Sequence, residues 1–316
     1  MRILITGGYG FIGGRLAEHL SKNGHTILIG SRLCDERKDW IPKTKCVLIN
    51  IYDHLSLENA CENIDVVIHA SGMNAQECQK DPSMAIEVNA IFPGKLINAA
   101  KLKKVKRFIY LSTAHVYSSP LLNVIDENTK TRNQHPYATS NLAGEHNILS
   151  ENGIETCSLR ISNSFGPPIH KNVNCWHLLI NNLCRQAIEK QKIILRSDPT
   201  QLRDFITLTD LILAIEYFID TPLKNYPKNI FNIGGEFTLT LDDIADLVAI
   251  RCFELFRYKP IVEKISRPKD FSYKTLNYKI NKLKSTGFKL GKKIEEEIDK
   301  TLFFCKKNYI TSVTND

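Results

Sequence analysis

The sequence predicts an α/β fold: a doubly wound parallel sheet with a smaller, discontinuous C-terminal part. Three observations predict it. Short apolar runs alternate with amphipathic segments through the first half, a glycine-rich turn directly follows the first run, and the alternation loosens after residue 161. With 43% hydrophobic and 24% charged residues over 316 positions, the composition excludes a disordered chain.

Residues 2–6, 26–29, 45–49, 66–70, 107–112 and 155–161 read as strands, near-continuous apolar runs of the kind buried on both faces. Helical spacing fills 11–23, 55–63, 84–102 and 140–152 between them, so right-handed crossovers are expected. Gly166-Pro167-Pro168 then breaks the chain. A helix over 174–190, an αβ alternation over 204–218 and 229–233, and a helix over 241–256 follow, and the C-terminal stretch shows no strong sheet signal. The expected division sets 1–165 and 203–233, the main domain, against 166–202 and 234–316, a smaller part that closes a cleft.

Forty-two Lys and Arg against 34 Asp and Glu give a charge of +8, spread along the chain rather than gathered in one block. That balance suits an anionic small molecule and gives a nucleic-acid binder no support. Nine cysteines without a C-x-x-C pair read as reduced thiols, and no run approaches the roughly 18 apolar residues of a membrane span. The expectation is a cytoplasmic protein. His69, His135, His146, His170 and His177 have no metal-ligand spacing, so no metal is expected.

Thr6-Gly7-Gly8-Tyr9-Gly10-Phe11-Ile12-Gly13 follows a strand and opens a helix. In that context Gly7 allows the tight turn, Gly10 lets backbone approach a pyrophosphate, and Gly13 allows close helix packing, while the N–H groups around Phe11 and Ile12 face the phosphates. The end of the second strand decides the cofactor. Its acidic slot holds Ser31, followed by Arg32, which favours NADP with NAD still possible; Asp35 or Glu36 nearby could take the ribose instead.

Further motifs stand in a fixed order. They are Asn50-Ile51-Tyr52-Asp53, Asp65-Val66-Val67-Ile68-His69-Ala70-Ser71, Asn89, Thr113-Ala114-His115-Val116-Tyr117 and Pro136-Tyr137-Ala138-Thr139-Ser140. Leu159-Arg160-Ile161-Ser162-Asn163-Ser164-Phe165-Gly166-Pro167, Arg203-Asp204-Phe205, Asn232-Ile233-Gly234-Gly235 and Arg267-Pro268-Lys269-Asp270 complete the set. Over nearly its whole length the chain thereby resembles the extended short-chain dehydrogenase/reductase family. These are the nucleotide-sugar epimerases, dehydratases and reductases related to UDP-galactose 4-epimerase.

The resemblance implies a Rossmann domain that binds NAD(P) and a part that binds a nucleotide-sugar. It places Asn50 and Ile51 near the adenine, and His69, Ala70, Ser71 and Asn89 along the cofactor. Thr113 takes the place of the catalytic hydroxyl and Tyr137 that of the catalytic tyrosine. Asn163, Arg203 and Arg267 are implied to hold the diphosphate, and a homodimer is implied through the helices after strands four and five.

One position departs from the family pattern. Four residues after Tyr137, on the same helical face, stands Asn141 where the family has Lys. That Lys lowers the tyrosine pKa from about 10, so its loss touches the proton chemistry directly. Three readings stand. His115 could carry the proton, since histidine titrates near neutrality. A cation from elsewhere, or oxidised nicotinamide, could act on Tyr137. Or the protein could bind NADP without turnover, as a regulator or partner subunit. Ala114-His115 occupies the place of the Asp-Glu pair of sugar 4,6-dehydratases, which disfavours that reaction. The expectation is an epimerase or keto-sugar reductase acting on a nucleotide-activated sugar by hydride transfer.

Overall fold

The computed structural model describes residues 1–34, 38–42, 44–224, 229–264 and 274–310. Its strands are β1 Arg2–Thr6, β2 Thr26–Ser31, β3 Lys45–Leu48, β4 Val66–His69, β5 Arg107–Thr113, β6 Asn123–Ile125 and β7 Glu155–Ile161. They continue with β8 Asn163–Phe165, β9 Lys192–Ile194, β10 Leu202–Thr207, β11 Ile230–Ile233, β12 Thr238–Thr240, β13 Ile261–Glu263 and β14 Leu276–Tyr278. The helices are α1 Phe11–Lys22, α2 His54–Ala60, α3 Ala75–Lys80, α4 Pro82–Ile86, α5 Phe92–Leu102 and α6 Pro136–Leu149. After them come α7 Leu179–Lys190, α8 Leu208–Asp220, α9 Leu241–Phe256, α10 Asn281–Ser285 and α11 Ile294–Tyr309.

Among the described residues, seven strands form one parallel sheet in the order β11-β7-β5-β4-β1-β2-β3. The chain winds outward from β1 to β3, returns to β4 and winds the other way. Between β1 and β4 the order therefore reverses, and a crevice opens beyond the C-terminal strand ends. Residues alternate between the two faces. Ile3 and Ile5 join Leu16 and Leu20 of α1 and Phe218 of α8 on one face. Leu4 joins Leu57 of α2, Leu96 of α5 and Ile148 of α6 on the other. A further core gathers Leu183 of α7, Val248 of α9 and Leu302 of α11 around Phe165 and Phe205.

Several expectations are corrected at their edges. α6 starts at Pro136 rather than 140, because Pro136 occupies its first turn and the His135 ring nitrogen accepts the Tyr137 N–H at 3.1 Å, an unusual cap. The expected helix over 84–102 begins at Pro82 and holds a π-turn, Glu87–Ile91. That over 174–190 begins at Leu179, after turns bonded Val173 to His170 and Leu178 to Cys175. Short strands do occur in the C-terminal stretch. β14 pairs with β6, from the other half of the chain, and β13 pairs with β9.

The cysteine reading needs a larger correction. Cys34 and Cys46 form a disulfide, while the other seven cysteines are free and buried. Parallel pairing sets Cys46 opposite Ile29, and the chain leaving β2 turns back to bring the two Cα atoms within 5.5 Å. Among the described residues, no helix is long and apolar enough to cross a membrane.

Candidate active site

The glycine turn is built so that only glycine fits at two points. Gly7 has φ +68°, and a Cβ there would lie 2.8 Å from the Ala70 carbonyl oxygen and from the Ser71 nitrogen, at the end of β4. A Cβ on Gly13 would lie 2.3 Å from the Gly7 carbonyl oxygen, so α1 seats directly on the turn. Gly10 caps α1 without a side-chain bond, and the first turn holds no acidic residue. The N–H groups and partial positive charge of that turn, through Phe11 and Ile12, are thus left for an anion in the crevice. This cradle fits the pyrophosphate of a dinucleotide.

Around it the remaining cofactor candidates take different places. Ser31 ends β2 and its hydroxyl donates to the Leu33 carbonyl, while Arg32 is exposed. Asp35 and Glu36 lie outside the described residues. The Asn50 side chain accepts the Tyr52 N–H at 3.0 Å, and the Ile51 carbonyl accepts from Lys95. Ala70 and Ser71 border the turn itself. The His69 ring is only 1% exposed, bonded to Thr6 at 2.9 Å and stacked on Tyr110; burial pushes its pKa down to about 3, so it is a neutral core group. Asn89 sits in the π-turn, also 1% exposed, where it accepts the Met73 N–H and donates to Ser140.

Beyond β5 the catalytic candidates come together. Thr113 ends the strand and caps the short turn Ala114–Val116, accepting the His115 N–H. Tyr137, one residue into α6, faces it. Burial raises the Tyr137 pKa, and the Thr113 side chain is the contact that opposes the rise. The His115 ring lies edge-on to Tyr137 with centroids 6.4 Å apart. Burial, then Arg203 and His135, push the His115 pKa down to about 4. The ring is therefore neutral at pH 7, in place of the near-neutral titration expected from its residue type.

Asn141 is 7% exposed. Its Nδ2 donates back to the Tyr137 carbonyl at 2.7 Å, and the Tyr110 hydroxyl donates between the Asn89 carbonyl at 2.9 Å and Asn141 Oδ1 at 3.3 Å. Gly144, one turn on, makes this docking possible: a Cβ there would lie 2.2 Å from the Asn89 carbonyl oxygen. Behind the site, Arg160 and Glu145 form a buried ion pair at 2.7 Å that also receives the Ser112 hydroxyl. This pair anchors α6 to β5 and β7.

A cavity of about 340 Å³ opens between α7 and β9. Lys190, Arg196 and Arg203 line it together with His177 and Gln186, and no carboxylate among the described residues does. Within the same set Arg203 bonds only Gln201, at 3.2 Å, and burial lowers its pKa. A half-buried guanidinium without a counter-ion is poised for an anion. Asn163 stands on the adjacent strand, opposite Phe205 in register, and donates to the Asp204 carbonyl. Arg267 lies outside the described residues.

Sequence reasoning missed Lys190 and Arg196 as cavity residues, because helical spacing does not show which face of α7 meets β9 or where the chain after β9 returns; it set the segment of His177 in the family's pocket region but preferred a plain helix start there. It also missed the work of Asp204. This carboxyl is fully buried, receives the N–H groups of Gly235 and Phe237, and is pushed up to about 7 by burial. A Cβ on Gly235 would lie 1.9 Å from the Phe205 carbonyl oxygen, so the Asn232-Ile233-Gly234-Gly235 turn is the wrapping that this carboxyl needs.

Residues 3–234 match the model of the NAD dependent epimerase/dehydratase family. The chain is 27% identical to a dTDP-D-glucose 4,6-dehydratase of Dictyostelium discoideum, covering 97% of this chain and 82% of that one. It is 26% identical to a putative UDP-glucose 4-epimerase of Methanocaldococcus jannaschii, covering 97% and 99%. A UDP-glucose 4-epimerase of Thermus thermophilus, solved as a complex with NAD, superposes with a TM-score of 0.81 at 22% identity, over 98% of this chain and 100% of that one.

Proposed function

The chain belongs to the NAD-dependent epimerase/dehydratase family, and on that premise we propose an enzyme that interconverts a hydroxyl and a carbonyl on the sugar of a nucleotide-activated sugar. The reaction is epimerisation or keto-sugar reduction. One observation carries the reading. The Thr113–Tyr137 pair stands next to His115, and His115 feels the charge of Arg203, which lines a cavity whose cations meet no carboxylate among the described residues. Proton chemistry and diphosphate binding are thus adjacent.

In this reading the Gly7–Gly13 turn and the first turn of α1 hold the dinucleotide, with Asn50, Ile51, Ala70, Ser71 and the segment carrying His69 and Asn89 shaping its bed. Bound there, a nicotinamide dinucleotide supplies and accepts hydride. Thr113 orients the sugar oxygen and Tyr137 moves its proton. Arg203 and Asn163, with Arg267 by its sequence position, hold the diphosphate. Exposed Arg32, with no acid at Ser31, favours NADP over NAD. We propose the division of 1–165 and 203–233 from 166–202 and 234–316, supported by the core of Leu183, Val248 and Leu302, although Phe165 and Phe205 of the main part join that core and Leu276, Tyr278 and Leu283 of the smaller part pack on the main sheet.

A homodimer packed through the helices after β4 and β5 is supported by Met84, Ile86 and Ile91, which are 41%, 40% and 38% exposed on that side. Light scattering should give twice the chain mass. Seven free, buried thiols support a cytoplasmic location and the Cys34–Cys46 bridge weighs against it, so cell fractionation decides between them.

The direct test of the substrate class is binding. Arg203→Gln should weaken UDP- and dTDP-sugar affinity by about 10- to 100-fold in calorimetry, the worth of a charge-assisted hydrogen bond, and leave dinucleotide affinity as it was. Unchanged nucleotide-sugar affinity would remove the anion pocket from the account.

A further inference from the structure

The surroundings of Tyr137 bear on which side of the reaction the site is prepared for. Charged and titratable groups approach the phenol from several elements. Cys78 comes from α3, His115 from the turn after β5, Tyr110 from β5 itself, His135 from the cap of α6 with its Nδ1 accepting the Tyr137 N–H, and the Glu145–Arg160 pair lies deeper between α6 and β7. None of these supplies a free positive charge. Cys78 acts to raise the phenol, and the His115 ring is neutral. Arg160 is neutralised by Glu145, and Arg203 reaches only as far as His115. Asn141, where a cation would stand, is folded back onto the Tyr137 carbonyl and Tyr110.

We propose that the site holds Tyr137 in its protonated form as a ready proton donor, so that the sugar it takes carries a ring carbonyl left by a preceding oxidation or dehydration. This rests on the functional reading above and narrows it to reduction. The proton and electron count closes. The carbonyl carbon gains hydride, originating from the reduced dinucleotide, and the C=O π bond becomes an alkoxide. The Tyr137 O–H bond breaks to protonate that oxygen, and the phenolate regains a proton from water.

Starting from the alcohol, Tyr137 must first be ionised. At the ordinary tyrosine value of about 10, fewer than about one molecule in a thousand is ionised at pH 7, and burial here makes it rarer. An epimerase must begin with that step. A reductase need not. Asn141 is accordingly a positioning residue, which orders the first turn of α6 without charging it.

The test reads Tyr137 directly. Tyrosinate absorbance of the protein, minus that of Tyr137→Phe, is followed from about pH 6 to about pH 11, without ligand and with oxidised and reduced dinucleotide. Thermal unfolding of each variant confirms the fold. The expected difference signal lies at or above the ordinary tyrosine range in all three states, and Asn141→Lys shifts it down by about 1–3 pH units. With substrate, kcat/KM for carbonyl reduction should be level from about pH 6 to about pH 9, while that for hydroxyl oxidation rises about tenfold per unit. Tyr137 titrating near neutrality, an Asn141→Lys variant that leaves it unmoved, or oxidation level through pH 7 would each overturn the inference. The ligand-free titration needs no sugar, so a protein that binds no nucleotide-sugar defeats the functional reading and leaves this measurement standing.

Discussion

Asp204 illustrates what a single buried carboxyl does to this fold. It accepts two backbone N–H bonds from the turn after β11, yet no cation among the described residues pairs with it, and burial pushes its pKa up to about 7. An unfolded Asp ionises near 3.9. Between about pH 4 and about pH 7 the unfolded chain therefore gives up a proton that the folded one keeps, and stability falls as pH rises. The slope should approach about 1.4 kcal/mol per unit, and Asp204→Asn should flatten it in denaturant titrations across that window. A variant with the parent's slope would assign the effect to another group. At this scale Thr113 and Tyr137 were legible, because they sit in ordered motifs. The burial of Asp204 and the neutrality of His115 were not, since both depend on neighbours from β10, β11 and the segment before α6.

At the level of elements, α6 does the positioning. It meets the π-turn at Gly144, where the helix backbone comes closest to Asn89, and the Arg160–Glu145 pair fixes its far side. Gly144→Ala should overpack that contact, lowering stability by about 1–3 kcal/mol in chemical denaturation and shifting Tyr137 from Thr113. Full stability in that variant would mean the helix has room that the geometry denies. The central strands β1, β4, β5 and β7 were legible because each is buried on both faces and reads as an apolar run. β6, β8, β9 and β12 to β14 were not: three residues carry no period, and pairs such as Asn123 with Leu276 form only once the rest of the chain has folded. The start of α6 was missed because a histidine ring caps it in place of the usual small polar side chain.

Over the whole molecule, the sheet's reversal between β1 and β4 opens a crevice at the glycine turn, and the core around Leu183 and Val248 carries the cationic cavity, whose Arg203 acts on His115. The order of the motifs already implied the crevice, while of the cavity's cations it singled out Arg203 alone. The Cys34–Cys46 bridge was hidden, because a separation of 12 residues says nothing until β2 and β3 pair. The central claim is that this crevice and cavity serve one redox reaction on a nucleotide-activated sugar. Its most direct measurement is the nicotinamide absorbance of the dinucleotide-loaded protein while UDP- and dTDP-linked hydroxyl- and keto-sugars are added in turn. The account predicts that at least one of them changes the oxidation state of the bound dinucleotide, with a keto-sugar oxidising the reduced form at neutral pH. A dinucleotide held tightly and left unperturbed by every sugar would contradict it and point to a regulator that binds the cofactor without turnover.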